Sequence, residues 1–229
     1  MAKAFTADIA VVGGGPSGLV AALALAAGGA ETVLFAPPPA GADRRTTALL
    51  DGSVRILEAL NVWKAMAPNT APLVRLRIVD ATRRLIRAPE VTFEADEMGL
   101  DAFGFNIENE ILRGSLLQAA ANCPHLAIFG LAVEEVLPDE DGVVLRTRES
   151  ETRFRLVVAA DGRRSIVRKA AGITTTKRDF PQTALAMNFR HSRPHQNVST
   201  EFHTESGPFT LVPLPGNRSS LVCVVTHAE

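Results

Sequence analysis

The feature that most constrains this chain is VVGGGPSG at residues 11–18, where an apolar run breaks into four glycines and a proline. Gly13, Gly15 and Gly18 occupy the positions of a G-x-G-x-x-G motif, and this motif has meaning only between a strand and a helix. Both neighbours are present. ADIAVV at 7–12 is a short β-branched apolar run, and SGLVAALALAA at 17–27 consists of good helix formers stopped by Gly28 and Gly29. A second apolar run, ETVLFA at 31–36, ends at PPPAG, giving a β-α-β unit in about 30 residues. In that context the first glycine permits the turn, the second lets backbone approach a pyrophosphate, and the third lets helix and strand pack closely. Amides at the helix start, with Pro16 and Ser17 beside them, would hold the phosphates of a dinucleotide. The competing reading is a glycine-rich turn that serves packing alone. One part of the pattern is missing: Ala36 stands where an acid normally meets the ribose, and Glu31 lies at the other end of that strand.

Downstream, DGSVRILEALNVWKAM at 51–66 has the spacing of one or two helices packed along one face, and LVRLRIV at 73–79 alternates as a strand. NEILRGSLLQAAAN at 109–122 predicts a helix with Asn109 as its cap. Strands are expected near 126–137, 142–148 and 153–159, with PDEDG joining the first two as a hairpin. A helix follows at 165–171, and from 183 onward the pattern is strand after strand. The composition shift at 173–182 predicts two domains, 1–178 and 179–229, with residues 73–105 able to lend strands to the second. The fold class is α/β, a Rossmann-like nucleotide-binding domain followed by the start of a β-rich domain. The closing strands have no helix to cover them, so the chain reads as incomplete, and dimerisation through 183–229 is expected.

Composition removes several function classes. With 24 Lys and Arg against 25 acids the net charge is -1, which argues against a nucleic-acid partner. Cys123 and Cys223 form no metal or disulfide pattern, no transmembrane or export segment is read, and a cytoplasmic protein with reduced thiols is expected. The histidines at 125, 191, 195, 203 and 227 suggest neither a triad nor a metal site. No catalytic side chain is named.

Taken together, GGGPSGLVAALALA, DRRTTALLDGS, ENEILRGSLLQAA and VVAADGRRSIVRKAAGI resemble the single-component FAD-dependent aromatic hydroxylases, whose fold is p-hydroxybenzoate hydroxylase-like. The tail GPFTLVPLPGNRSSLVCVV is similar to the ubiquinone-biosynthesis hydroxylases within that group. The resemblance implies FAD as cofactor and NAD(P)H as co-substrate. It also implies oxygen transfer to a phenolic, polyprenylated ubiquinone precursor, with the enzyme resting on the inner face of the membrane or in a biosynthetic complex. Arg45 matches an arginine at the flavin pyrophosphate, Arg113 a helical arginine near the flavin, and Asp161 with Gly162 an Asp-Gly motif for flavin and nicotinamide. Val133 matches a position whose backbone meets the adenine. Read without the resemblance, Arg44 and Arg45 could be a solvated pair, Arg113 an exposed helix residue, Asp161-Gly162 a turn before a helix capped at Ser165, and Val133 a core strand residue. Two departures stand out: Ala159 replaces a usual glycine, and no Gly-Asp dipeptide occurs in the 229 residues. The chain is thus expected to be an N-terminal portion that holds FAD poorly and does not turn over alone. Two other classes remain, a non-catalytic flavin- or nucleotide-binding module and a nicotinamide-only dehydrogenase.

Overall fold

The computed structural model describes residues 7–39 and 41–226, so His227 lies outside the described residues. The first elements are β1 (Ile9–Val12), α1 (Pro16–Ala27), β2 (Thr32–Phe35), β3 (Thr46–Leu50), α2 (Asp51–Ala59) and α3 (Trp63–Met66). Next come β4 (Ala71–Pro72), β5 (Arg75–Asp80), β6 (Val91–Glu94), β7 (Gly104–Glu108) and α4 (Asn109–Ala121). The remainder is β8 (Leu126–Phe129), β9 (Glu135–Asp139), β10 (Gly142–Arg146), β11 (Glu151–Phe154), β12 (Leu156–Ala159) and α5 (Ile166–Ala170), then β13 (Gln182–Arg190), β14 (Val198–His203), β15 (Pro208–Leu214) and β16 (Arg218–Thr226). No helix among the described residues is long and apolar enough to cross a membrane.

The chain divides into two compact units, one of residues 1–42 with 113–177 and one of residues 43–112 with 178–229. The stretch 43–72, grouped from sequence with the first domain, therefore belongs to the second unit.

In the first unit four parallel strands run in the order β12-β1-β2-β8. Sheets of this kind are covered on both faces, and this explains why β1 and β2 read as continuous apolar runs. Ala10, Val12, Val33 and Phe35 point to one face, where Leu145, Phe154 and Val167 complete a buried cluster. Phe35 stacks on Phe129 at 5.8 Å and meets Phe154 edge-on at 6.0 Å. By alternation Val11 and Leu34, both fully buried, face the other way, toward α1. That helix buries Gly18, Leu19, Ala22, Leu23 and Ala26, a single stripe at helical spacing. The run expected as one strand over 126–137 is two, β8 and β9, which lie in different sheets. The stretch 153–159 likewise divides, because Arg155 N and Leu156 N both donate to Asp8 O and the chain turns from the β9–β11 sheet into the parallel one.

The second unit is built on a six-stranded sheet in the order β13-β16-β15-β14-β5-β6. Its β5 joins β14 in parallel although more than 100 residues separate them in sequence. A smaller sheet, β3-β7-β4, is tied to it by Asn106, 1% exposed, whose Nδ2 donates to Pro213 O at 2.8 Å, and by an ion pair between Arg218 and Glu108.

The helix comes close to the strand-end loops at Gly18, where a Cβ would lie 1.9 Å from Gly13 O and 3.2 Å from the Ala160 methyl. Gly18→Ala should therefore cost about 3 kcal/mol of stability, as overpacking against backbone does, read as a lower urea midpoint at unchanged slope. An unchanged midpoint would mean that α1 can shift freely.

Candidate dinucleotide site

The site forms where the parallel strands of the first unit end. Gly13 N donates to Phe35 O at 2.9 Å, Ala160 N to Val12 O at 2.9 Å and Ala36 N to Phe129 O at 2.8 Å, so all four strand ends are held level. Open α/β sheets bind ligands at this carboxyl edge.

Each glycine there has a distinct surrounding. Gly13 has φ +123°, and a Cβ on it would sit 2.2 Å from Ala160 O. This position demands glycine twice, by conformation and by space. At Gly14 an added Cβ would meet the Ala36 methyl at 2.7 Å. Gly15 differs from both: it is exposed, and a Cβ there would have nothing within 4 Å. It is also the N-cap of α1, with no side chain satisfying the helix amides and with Pro16 at the first turn. Ser17 is exposed beside it. Unpaired amides, a helix dipole and open space in front of them are what a diphosphate requires.

Two side chains reach this loop from elsewhere in the same unit. Arg113 on α4 is half-buried, and its Nε donates to Gly14 O at 3.0 Å, so it is not an exposed helix residue. Asp161 follows β12, and its amide lies 2.8 Å from where a Gly13 Cβ would stand. Its Oδ2 accepts from Ile166 N at 2.7 Å and Val167 N at 3.3 Å, and Ser165 Oγ accepts from Arg168 N at 2.9 Å. Aspartate and serine thus divide the free amides of α5 between them. The other oxygen, Asp161 Oδ1, is buried with no hydrogen-bond partner among the described residues. A buried carboxylate oxygen without a donor is costly, and a ligand hydroxyl would satisfy it. Gly162, with φ +79°, makes the turn that sends the chain into α5.

Val133 lies before β9 rather than in a strand and packs against the Val12–Phe35–Phe154 cluster. Arg45 belongs to the second unit, where its Nε and Nη2 each lie 2.7 Å from the Asp43 carboxylate. That fork, reinforced by Asn109 Nδ2 at 2.9 Å, holds the Asp43 carboxyl well below the usual carboxylate range. Asn109 Oδ1 accepts from Thr47 Oγ1 at 2.6 Å. The Asn109 side chain, expected to cap α4, is therefore spent on β3 and Asp43. Glu31 is no substitute for the acid missing at Ala36, since it contacts His125 Nδ1 at 2.6 Å.

These surroundings fit a dinucleotide: open backbone at Gly15, free helix amides, and an orphaned buried acceptor at Asp161. Gly15→Ala, at an uncrowded position with ordinary φ, should cost only about 1 kcal/mol of stability as a poorer helix cap, yet weaken flavin binding at least tenfold in a fluorescence titration. Asp161→Ala should lower stability by about 1–2 kcal/mol through the lost α5 cap, whereas Asp161→Asn, which keeps one oxygen for the helix, should lose less than half of that in the same urea series. Equal losses would mean that the cap contributes nothing.

Comparison with known proteins gives the family and the fold. The chain is 34% identical to the ubiquinone hydroxylase UbiL of Rhodospirillum rubrum over 94% of its own length and 51% of that protein. It is 31% identical to the 3-demethoxyubiquinol 3-hydroxylase of Escherichia coli, covering 94% of this chain and 56% of that one. The chain thus spans about half the length of the curated relatives it matches. Among solved structures, Pseudomonas aeruginosa PqsL in complex with 2-aminobenzoylacetate superposes with a TM-score of 0.80 at 21% identity, covering 97% of this chain and 62% of that one. Klebsiella pneumoniae HpxO complexed with FAD and uric acid does so at 0.78 and 20%, covering 95% and 56%. The fold is shared at that level of identity. With residues 6–229 matching the family model described as FAD binding domain, and with a glycine loop and helix terminus shaped for such a ligand, the chain belongs to the FAD binding domain family.

Proposed function

We propose that the protein works as an FAD-dependent monooxygenase that uses NAD(P)H and O2 to hydroxylate an aromatic ring, the substrate being a polyprenylated quinone precursor. The observation that supports it most is the coincidence of an FAD-binding fold with ubiquinone hydroxylases at 34% and 31% identity over nearly the whole chain. When bound, the flavin supplies the redox and oxygen chemistry. The chain's own residues supply position.

In this reading the amides of Gly15, Ser17 and Gly18 grip the diphosphate at the α1 terminus, with Pro16 setting the first helical turn. Asp161 Oδ1 accepts a sugar hydroxyl while Oδ2 keeps α5 in place. Arg113, braced on Gly14, holds the loop's shape and adds positive charge beside it. Arg45 is assigned to the diphosphate on the sequence resemblance alone, its guanidinium being paired with Asp43 within the second unit, and Gly162 and Val133 supply further cofactor contacts in the first. A lipid-borne substrate makes a peripheral position on the inner face of the membrane the natural one.

Ala36 supports a second reading, a flavin-binding module without chemistry. It is buried, at 8% exposure, and offers no acceptor to the adenosine ribose. Ala36→Glu should restore that hydrogen bond and tighten FAD binding about tenfold. To separate the two readings, NAD(P)H oxidation and oxygen uptake by the whole protein would be followed with FAD present, with and without a prenylated phenol. Phenol-stimulated oxidation with a hydroxylated product is expected of the whole protein, and no turnover of the 229 residues alone. Retained flavin that NAD(P)H does not reduce would instead support the non-catalytic module.

A further inference from the structure

The loop between β5 and β6, residues 81–90, presents two large aliphatic side chains at its tip: Leu85 is 100% exposed and Ile86 86%. Three arginines, Arg83, Arg84 and Arg87, flank them, all exposed. Isolated apolar residues on a surface are ordinary, but an adjacent pair this exposed, set among cations, is not.

The loop is held at its base, so the exposure is built in. Asp80 Oδ1 accepts from Thr82 N at 3.0 Å and Thr82 Oγ1 at 2.7 Å, while Asp80 Oδ2 reaches across to Ala88 N at 2.9 Å. Glu205 accepts from Arg83 N, and Ala81 N donates to His203 O at 2.9 Å. The carboxylates at the base are thus occupied with backbone amides, and Glu90 lies 3.7 Å from Arg77 Nε. Those carboxylates stay charged and attract the loop's cations, Asp80 drawing on Arg84 and Glu205 on Arg83 and Arg84, so the tip is a cluster of three arginines over a partly acidic base. Behind it an open cleft of about 440 Å³ has a mixed wall, apolar at Ile78, Val91 and Phe93 and polar at Asp80, Arg84 and His203.

We propose that the 81–90 loop is a membrane-docking tip, with Leu85 and Ile86 entering the headgroup–acyl boundary of an anionic bilayer while Arg83, Arg84 and Arg87 meet the lipid phosphates. Two aliphatic side chains are too small an area for a stable protein interface, which buries on the order of 1,200–2,000 Å². They match shallow insertion, where a short apolar anchor and a basic cluster act as two weak signals that bind reversibly together. The proposal gives the lipid-borne substrate reading a point of contact and takes its purpose from it. Its test reads vesicle binding rather than turnover, so either can fail alone.

The test is sedimentation of the protein with phosphatidylcholine vesicles, with and without phosphatidylglycerol, alongside light scattering. Binding is expected only when the anionic lipid is present and should weaken as salt is raised. The Leu85→Ser/Ile86→Ser variant should lose about tenfold in binding, and each Arg→Gln change about fivefold, with unaltered thermal melts because all five residues are exposed. Equal binding by wild type and the double variant would overturn the proposal. So would absence of binding to anionic vesicles, or a wild-type dimer that the double variant turns into monomer, which would assign the loop to a second copy of the chain.

Discussion

The structure of the first unit depends on an absence of atoms. Gly13 and Gly18 bring the start of α1 into contact with the loop after β1 and with Ala160, at distances no Cβ could occupy. That approach presses the helix terminus against the ends of the parallel strands and leaves its amides facing outward at Gly15. Everything assigned to the site follows from it. Arg113 donates from α4 to the Gly14 carbonyl of this loop, and Asp161 stands beside the loop because β12 runs next to β1 in register.

Asp161 joins the fold and the proposed function in one side chain. One oxygen satisfies α5 and the other is left buried without a donor. The two readings open in the sequence, a turn before a capped helix and a ligand-binding aspartate, are therefore not exclusive. A side chain anchored by one oxygen holds the second at a fixed position, which lowers the ordering cost of accepting a ligand hydroxyl.

What the sequence disclosed followed the strength of local patterns. The β1-α1-β2 unit was legible because glycine demand, small-residue helix and buried parallel strands all agree over 30 residues. The strands β3, β6 and β7 were not, since β6 is largely exposed and β3 and β7 contain polar residues satisfied only by distant partners such as Asn109 and Pro213. The pairing of β5 with β14 leaves no local trace. In the site, the glycines and the gap at Ala36 could be read directly. The bracing of Arg113 on Gly14 and of Arg45 on Asp43 could not, since one spans 99 residues and the other looks in sequence like any surface pair.

The central claim is that the amides at the entrance to α1 grip the FAD diphosphate. Amide hydrogen exchange with and without FAD tests it most directly. The account predicts that FAD slows exchange at Gly15 and Ser17, both exposed in the free protein, more than at any strand of the second unit. FAD binding that leaves those two amides exchanging at their free rates would contradict it.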